Sequence, residues 1–444
     1  MARSVRALTA TVLIATAFLL GGADASLAQS ADGPAAEPAP QSRWKILEYD
    51  AQGRVTGVRE GGGRAAPSVG SERPAPESDA PAFEKPVEPG ELLIAEPPPG
   101  AEALLERLGF SIRARETFDA LEIDLWRVDI PEGMSLPEAL RALRREMPEA
   151  IVDTNDILDL SSDRVQLAQS QRDFARAAVD IGAAVPESCG KGMVLGQIDG
   201  AVDTDHPALA DRALLYRNFI GEEDIPAAEE HGTAIAIMLV GKPRPGRVGG
   251  LLPGATLYAA NIFKRIEGGE KGNLAAMLRA IEWLVANGVQ VANLSVTGGA
   301  NMVMHMVVQR ATAKGLMIVA AAGNHGPAAQ PAWPAAAEQS LAVTAIDRSL
   351  KLYPFANRGP YIDFAAPGVD LVTETPTGLR EQSGTSMATP FVTAMVALHL
   401  EAGYPADPDR IRQSLKRYAH DLGESGRDSD FGYGLVRLRP QCAE

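Results

Sequence analysis

A serine in the C-terminal part of the chain stands in a setting that suits a nucleophile. Residues 383–390 read Ser-Gly-Thr-Ser-Met-Ala-Thr-Pro, and the apolar run 391–398 follows at once. The pattern predicts a glycine-rich turn that opens a helix, with Ser386 at the helix start. A helix N-terminus offers free N–H groups and positive dipole character. Such an environment supports a serine that must form an oxyanion beside itself.

Three further residues could complete acyl-transfer chemistry. Asp199 ends an apolar stretch, and His231 lies in the segment 230–238, Glu-His-Gly-Thr-Ala-Ile-Ala-Ile-Met. Asn324 follows the apolar run 316–322. A carboxylate, an imidazole and a hydroxyl form the relay in which a base takes the serine proton, and an amide side chain can bind the oxyanion. Each residue alone also fits a structural role, because Ser, Asp and Asn commonly cap helices and turns.

Joined in one chain, these segments resemble the motifs of subtilisin-like serine peptidases. They occur in that family's order of aspartate, histidine and serine, and the resemblance covers roughly residues 190 to 440. It extends to 331–334 (Pro-Ala-Trp-Pro) and 364–368 (Phe-Ala-Ala-Pro-Gly). The aspartate segment departs from the family at Gly200 and Ala201, where Thr-Gly is usual. This change leaves the carboxylate in place.

The resemblance implies a role for each residue. Ser386 would attack the scissile carbonyl, His231 would take its proton, and Asp199 would hold the imidazole. The oxyanion would lie between the Asn324 side chain and the Ser386 N–H. A substrate strand would add along an edge that resembles the family's Ser-Leu-Gly-Gly: Ser295, Val296, Thr297 and Gly298. Thr297 stands where the family has a glycine, so the preference for the residue before the scissile bond stays open.

The remaining candidate side chains have structural interpretations. Asp203 falls where the family pattern often has a second acidic or polar residue, and we interpret it as structural. The other histidines lack the paired spacing of a metal site, and we interpret them as structural or surface residues: His206, His305, His325, His399 and His420. No cofactor is predicted. A structural calcium ion stays open, because the sequence has no compact acidic loop with calcium-ligand spacing.

Two other function classes stay open besides peptide hydrolysis. A subtilisin-like fold without activity could serve as a binding or scaffold protein, and the same triad could act as an esterase or amidase on non-peptide substrates. Labelling by a fluorophosphonate probe distinguishes an active hydrolase from an inactive binding protein. A comparison of casein hydrolysis with acyl-ester hydrolysis distinguishes a peptidase from an esterase or amidase. The expected partners are protein or peptide substrates. The natural substrate and the oligomeric state are not predicted.

The charge balance argues against a nucleic-acid partner. The chain of 444 residues has 57 acidic residues against 42 Lys and Arg, which gives a formal net charge of −15. A nucleic-acid-binding face needs clustered basic residues. With 45% hydrophobic residues the chain can bury a large core, and its length predicts two or three units.

The N-terminus predicts export. Arg3 and Arg6 precede an apolar run that ends at Leu20, and residues 26–28 (Ser-Leu-Ala) supply small side chains for cleavage. The pattern is typical of a secretory signal peptide over residues 1–28. An uncleaved membrane anchor is the alternative, although the apolar stretch is shorter than the ~20 residues that a span needs. We expect a secreted or periplasmic protein without membrane contact after signal removal.

The two cysteines fit an exported protein. Cys189 precedes the first strand of the catalytic region, and Cys442 lies almost at the C-terminus. An even number of cysteines in an oxidising compartment favours a disulfide, which would tie both ends of this region together. Two free thiols are the alternative, because the sequence does not show whether the residues are close.

Three segments lie between the signal peptide and the catalytic region. Residues 29–88 are rich in Pro, Ala and Gly, and we predict a disordered linker. Trp44–Tyr49 is an exception, which we interpret as an adhesive apolar peptide or a strand. Residues 89–160 follow a βαββαβ-like order, which predicts a small α+β split-βαβ domain. In order and position this domain is similar to the inhibitory propeptides of the subtilisin-like family. An unrelated interaction domain is the alternative. Residues 161–185 are predicted as a processing joint and lead-in helix, cut by the enzyme itself between Asp159 and Ala178.

The catalytic region, residues 186–444, alternates strands and helices. Apolar, β-branched runs predict these strands: Val194–Asp199, Thr256–Ile262, Val289–Val296, Leu316–Ala322 and Leu341–Ile346. Helices are predicted at His231–Val240, Leu274–Asn287, Met302–Lys314 and Ser386–Glu401. Continuous apolar strands between helices indicate an α/β fold with three layers, in which a parallel sheet is covered on both faces. Asp199 and Asn324 fall at carboxyl ends of strands, where such sheets hold their sites.

Overall fold

Two paired strands lie within the segment that the sequence predicts as a linker. The computed structural model describes residues 43–49, 55–62, 85–160, 163–167, 174–181, 185–244, 247, 249–267, 269–437 and 442. Strand β1 (Arg43–Tyr49) pairs with β2 (Val55–Gly62). Aromatic and β-branched residues, which favour strands, concentrate in these two stretches. β1 agrees with the strand alternative for Trp44–Tyr49, whereas β2 lies in the stretch that the sequence predicts as linker. The predicted signal peptide 1–28 lies outside the described residues.

Residues 87–160 form an α+β unit with the βαββαβ order. Its elements are β3 (Val87–Ala95), α1 (Ala101–Leu108), β4 (Ser111–Phe118), β5 (Ile123–Asp129), α2 (Leu136–Glu146) and β6 (Ile151–Leu160). The strands are antiparallel: β3 lies between β5 and β6, and β4 pairs with the other edge of β5. Ser135 and Glu138 form a capping box that starts α2, as the Ser-Leu-Pro-Glu sequence indicates.

The segment that follows leads into the catalytic region. It contains β7 (Asp163–Leu167) and α3 (Phe174–Ala178), whereas 161–162, 168–173 and 182–184 lie outside the described residues. The guanidinium of Arg176 in α3 donates hydrogen bonds to the backbone carbonyls of Gly249 and Gly250. Val179 and Ile181 are buried in the core of the catalytic region. These contacts anchor the end of the segment.

A seven-stranded parallel sheet forms the centre of the catalytic region. The elements of this region, in chain order, are β8 (Val194–Asp199), β9 (Leu214–Asn218), α4 (Glu229–Val240), β10 (Thr256–Asn261), β11 (Phe263–Ile266), β12 (Gly269–Asn273), α5 (Leu274–Ala286), β13 (Val291–Leu294), β14 (Val296–Thr297), α6 (Met302–Ala313), β15 (Met317–Ala321), β16 (Ser340–Ile346), β17 (Phe364–Pro367), β18 (Leu371–Thr375), β19 (Gly378–Ser383), α7 (Thr385–Glu401) and α8 (Pro408–Lys416). The strand order in the sheet is β17-β16-β15-β13-β8-β10-β9. Every pairing is parallel.

Helices cover both faces of this sheet. Successive side chains of a strand point to opposite faces, and those of β15 separate accordingly. Met317 and Val319 pack in an apolar cluster with α4 and α7, whereas Ile318 and Ala320 pack in a second cluster with α5 and α6. The predicted three-layer architecture is confirmed. The inner strands are largely apolar because both of their faces are buried.

A disulfide closes the catalytic region. The sulfur atoms of Cys189 and Cys442 are bonded, across a sequence separation of 253 residues. Cys189 is 1% exposed and precedes β8. The predicted pairing is confirmed, and the alternative of two free thiols is excluded in this structure.

The described residues contain neither a candidate membrane span nor a candidate metal cluster. Within those ranges no helix combines the length and apolar character that a membrane crossing requires. Over the same residues, no group of three or more His, Cys, Asp or Glu side chains is arranged to hold a metal ion.

Candidate active site

Three side chains from separate segments meet in one hydrogen-bonded chain. Oδ1 of Asp199 lies 2.6 Å from Nδ1 of His231, and Nε2 of His231 lies 2.9 Å from Oγ of Ser386. Asp199 and Ser386 are fully buried, and His231 is 7% exposed. When Nδ1 carries its proton toward the carboxylate, Nε2 can accept the hydrogen of the serine hydroxyl. The arrangement can therefore move a proton from Ser386 onto a base.

β8 and α4 position the carboxylate and the imidazole. β8 lies inside the sheet between β13 and β10, and Asp199 is its last residue. The N–H of Gly200 donates to Asp199 Oδ1 at 2.7 Å, which orients the carboxylate. His231 lies in the first turn of α4. Gln197 of β8 donates from Nε2 to the carbonyl of Gly232 at 2.8 Å and so ties the strand to this turn.

The turn before α7 presents the serine. Gly384 adopts φ 150° and ψ 163°, a conformation essentially restricted to glycine. Its N–H donates to the carbonyl of Gly368 at 2.8 Å. Ser386 is the second residue of α7, where backbone N–H groups have no partner within the helix. The structure thus has the glycine-led helix start that the sequence predicts.

A loop after β15 holds Asn324 beside this turn. The N–H of Thr385 donates to Oδ1 of Asn324 at 3.0 Å, and the N–H of Gly323 donates to Oγ1 of Thr385 at 3.0 Å. The other end of the Asn324 amide is an NH2 group, a donor of the kind that an oxyanion needs. Oδ1 of Asn357 accepts from the N–H of His325 at 2.8 Å and supports the loop.

The predicted substrate edge is paired with the chain's own β6. Val296 lies opposite Leu160, and Thr297 lies opposite Asp159, in antiparallel register. On its other side, the same end of β6 pairs with β12. The end of β6 is therefore the middle strand of three.

The two ends of this edge are held by other contacts. Oγ of Ser295 accepts from Nδ2 of Asn293 at 3.3 Å. Gly298 and Trp333 exchange two backbone hydrogen bonds of 2.8 and 3.0 Å. The edge from Ser295 to Gly298 is therefore fixed at both ends.

The other acidic and histidine candidates make local contacts. Oδ1 of Asp203 accepts a backbone N–H of its own turn at 3.1 Å. His206 Nδ1 accepts a backbone N–H at 3.2 Å, and His399 Nδ1 lies 2.7 Å from a backbone carbonyl of its own helix. Burial lowers the pKa of His305 and His399, which favours their neutral forms. These contacts fit the structural interpretation of these side chains.

Some supporting residues were not singled out by the sequence. Asn357 and Tyr361 lie in a loop without a motif, and no local signal marks them. The Tyr361 hydroxyl donates to the carbonyl of Ala322 at 2.7 Å, and burial raises the pKa of Tyr361 well above its usual range, so it remains a donor. Gln197 could have been found, because it is a polar side chain inside an apolar strand.

Comparison with known proteins decides the family. A sequence model of the Subtilase family matches residues 190–434, which is more than half of the chain. The chain belongs to the subtilase family. Its fold is subtilisin-like: fervidolysin from Fervidobacterium pennivorans, described as a keratinolytic enzyme related to subtilisin, aligns with a TM-score of 0.65. That alignment has 21% identity and covers 79% of this subtilase and 60% of fervidolysin.

Two curated relatives give the degree of sequence similarity. The minor extracellular protease Epr of Bacillus subtilis (strain 168) is 34% identical over 220 residues, which are 48% of this subtilase and 33% of Epr. The thermostable alkaline protease of Halalkalibacterium halodurans is 36% identical over 255 residues, which are 56% of this subtilase and 66% of that protein. The chain thus spans between a third and about two thirds of the length of these relatives.

Proposed function

We propose that this subtilase is a secreted serine endopeptidase that hydrolyses peptide bonds through an acyl-enzyme. The observation that carries the proposal is the hydrogen-bonded chain from Asp199 through His231 to Ser386. Membership of the subtilase family and similarity to proteases such as Epr support a peptide substrate.

Each side chain has a defined task in the proposed reaction. Oγ of Ser386 attacks the scissile carbonyl carbon while its proton passes to Nε2 of His231. The carbonyl electrons move onto oxygen, and the Asn324 side chain and the Ser386 N–H stabilise the oxyanion. The C–N bond then breaks, and the leaving amine takes the proton from His231. Water attacks the ester by the same route, and Asp199 remains ionised and orients the imidazole throughout.

Replacement of the nucleophile tests this proposal. Ser386→Ala should lose fluorophosphonate labelling and lower casein hydrolysis on the order of 10⁴–10⁶-fold, because no other group supplies the attacking oxygen. Ser349→Ala, which changes an exposed serine, should keep both signals. Near-normal casein cleavage by purified Ser386→Ala protein would contradict the assignment. Hydrolysis of acyl esters without hydrolysis of casein by the unchanged enzyme would instead support an esterase.

We also propose that residues 90–160 act as an intramolecular inhibitor. The end of β6 occupies the edge on which a substrate strand would add. β7 pairs with β19, the strand that leads to the nucleophile, and Asp163 lies opposite Ser383. The chain therefore lies along the substrate edge before the proposed cut and along β19 after it. A substrate cannot pair with the edge while β6 occupies it.

A role in folding is proposed for the same region. Its side chains accept hydrogen bonds from backbone N–H groups at the starts of two helices of the catalytic region. Oδ2 of Asp153 accepts from Met302 in α6 at 2.9 Å, and Oδ1 of Asn155 accepts from Ala275 in α5 at 3.1 Å. Such N–H groups have no partner within their own helices. Because parallel sheets form through slow, non-local contacts, a unit that orders both helices is suited to assist folding.

The maturation cut is proposed between Leu160 and Asp163, within the stretch Asp159–Ala178 that the sequence indicates. Leu160 is the last residue of β6 on the substrate edge, and Asp163 is the first residue of β7 beside β19. The peptide bonds from Leu160 to Asp163 therefore lie between the β6–β14 pairing and the β7–β19 pairing. Residues 161 and 162 themselves lie outside the described ranges.

Parallel expression of two proteins tests inhibition and self-processing. The unchanged protein should yield a mature N-terminus between residues 161 and 163, and Ser386→Ala protein should accumulate uncut. Equal processing of both would assign the cut to another protease. An active catalytic region that folds readily without residues 90–160 would remove the folding role.

Export is the remaining part of the proposal. Residues 1–28 would act as the signal peptide, and the Cys189–Cys442 disulfide fits an oxidising compartment. Epr, by its name, is extracellular. Fractionation of cells that express the chain with and without residues 1–28 tests this, and export of the shortened chain would contradict it.

A further inference from the structure

Two leucines of β6 face the catalytic region from alternating positions. Side chains two residues apart lie on the same face of a strand, so Leu158 and Leu160 share a face and Asp159 points to the other. Leu158 is fully buried, and Leu160 is half-buried. Both belong to the apolar cluster that includes α5 and α6. At this end of the strand, alternate leucines therefore make the apolar contacts with the catalytic region.

A glycine of the catalytic region lies against each leucine. A Cβ placed on Gly298 would lie 2.5 Å from Cδ2 of Leu158, a distance at which carbon atoms overlap. A Cβ placed on Gly200 would lie 4.0 Å from Cδ2 of Leu160, which is ordinary contact. Any side chain at Gly298 thus meets Leu158 directly. At Gly200, the atoms beyond Cβ of a larger side chain would meet Leu160.

The backbone does not require glycine at either position. The glycines with positive φ do not include Gly200 or Gly298, so an L-residue could adopt these conformations. Gly200 is also the position at which the aspartate segment departs from the Thr-Gly pattern. At Gly298 the absent side chain leaves space that Leu158 fills. At Gly200 the space is bounded by the carbonyl oxygen of Ala228 at 3.5 Å and Cβ of Ala227 at 3.8 Å as well as by Leu160.

We propose that Gly298 and Gly200 are specificity-determining residues that select substrates with the pattern Leu-x-Leu before the scissile bond. Gly298 accepts the first leucine-sized side chain, and Gly200 accepts the second. The residue between them is free to be polar, as Asp159 is. This inference rests on the proposed function, because it takes β6 as the chain's own example of a bound substrate strand.

A peptide copied from the chain itself is the probe. It covers residues 153–167, and two variants carry Leu158→Ala or Leu160→Ala. The enzymes are the self-processed unchanged protein and its Gly298→Ala and Gly200→Thr variants. Each enzyme variant is produced with the matching leucine of its own β6 also changed to alanine, so that the 90–160 region still docks. That region is removed on maturation, and the tested enzymes then differ only at the glycine.

The proposal predicts coupling within each pair. Gly298→Ala should lower kcat/KM for the parent peptide by about tenfold to hundredfold, because the pocket for a leucine-sized side chain shrinks. The same enzyme should cleave the Leu158→Ala peptide within about threefold of the unchanged enzyme's rate on it. Gly200→Thr should lower kcat/KM for the parent peptide by about tenfold, a smaller loss. It should cleave the Leu160→Ala peptide within about threefold of the unchanged enzyme's rate on that peptide.

The crossed combinations are the control. Gly298→Ala should lose the same factor on the Leu160→Ala peptide as on the parent peptide, because independent sites act additively. An equal loss on all three peptides would overturn the inference, since the glycines would then shape the site in general. Failure of the unchanged enzyme to cleave any peptide would instead overturn the proposed function, and this inference with it.

Discussion

The two main sheets of the molecule bury their faces in different ways. The parallel sheet of the catalytic region is covered on both faces by helices of that same region. The sheet of residues 87–160 has its own helices on one face only, where Leu92 and Ile94 pack with α1 and α2. Its other face, with Leu93 and Ala95, joins the apolar cluster of α5 and α6. The small sheet therefore depends on the catalytic region to bury one of its two faces.

Polar contacts strengthen the same dependence. The carboxylate of Glu282 in α5 accepts hydrogen bonds from the backbone N–H groups of Ala120 and Leu121 at 2.8 and 3.0 Å. Arg279, also in α5, forms a salt bridge with Glu116 of β4, in which Nη1 lies 3.0 Å from Oε1. The catalytic region thus has a complete core, whereas the core of residues 87–160 is completed by docking. This dependence is compatible with the proposed removal of residues 90–160, because the small sheet is fully buried only while it is docked.

The largest expected effect is the loss of structure in the small region alone. An excised chain of residues 85–160 should give little helical signal in far-ultraviolet circular dichroism, because one apolar face of its sheet would be in water. Adding the Ser386→Ala catalytic region, residues 163–444, should restore the signal. Phe118→Ala, at a buried docking position, should weaken that binding by about 3–5 kcal/mol. Arg141→Ala, at an exposed position, should not. Cooperative unfolding of the excised chain alone would contradict the comparison.

The next largest effect should be on kcat, without a change in the affinity for the 85–160 region. Asn324→Ala should lower kcat on the order of 10²–10³-fold, because the oxyanion loses one donor. Its affinity for the 85–160 region should match that of the unchanged catalytic region. Steady-state kinetics on a peptide substrate provide the measurement, and Asn287→Ala, at an exposed position, is the control. Unchanged kcat would remove Asn324 from the oxyanion hole.

Loss of the disulfide should weaken only the catalytic region. Cys189→Ser with Cys442→Ser should lower its free energy of unfolding by roughly 2–4 kcal/mol, because the unfolded chain gains freedom. Denaturant unfolding of the Ser386→Ala catalytic region, produced as residues 163–444, measures this without self-digestion. The double variant should still bind the 85–160 region, since the bridge lies in the self-contained part. An equal stability of both proteins would contradict the prediction.

The smallest expected effect tests a single contact between the regions. Glu282→Gln should weaken binding of the 85–160 region by about 1–3 kcal/mol, because a charged acceptor of two backbone N–H groups becomes neutral. Glu424→Gln, an exposed change in the same region, is the matched control. Titration calorimetry measures both affinities. The Glu282→Gln protein should otherwise unfold like the unchanged catalytic region, whose core does not include this side chain.

The sequence predicts the position of a candidate residue on its helix or strand where that residue is tied to a local pattern. Asp199 and Asn324 follow apolar strands, and Ser386 follows a glycine at a helix start, so periodicity and turn chemistry are sufficient to position them on their elements. The pairing of β14 with β6 was not predictable, because it joins segments more than a hundred residues apart. Strand β9 was missed because it lies at the sheet edge and is largely exposed. It therefore lacks the continuous apolar run of the inner strands.

The bond between Cys189 and Cys442 gives the catalytic region the topology of a ring. The separation of 253 residues encloses Asp199, His231 and Ser386 within one covalent loop. A single cut in any surface loop opens this ring but releases no fragment, because both new ends remain joined through the sulfur atoms. Packing of the sheet can then keep the two linked fragments in their native strand register. The bridge thus adds tolerance of proteolytic damage, which matters most where active proteases are concentrated.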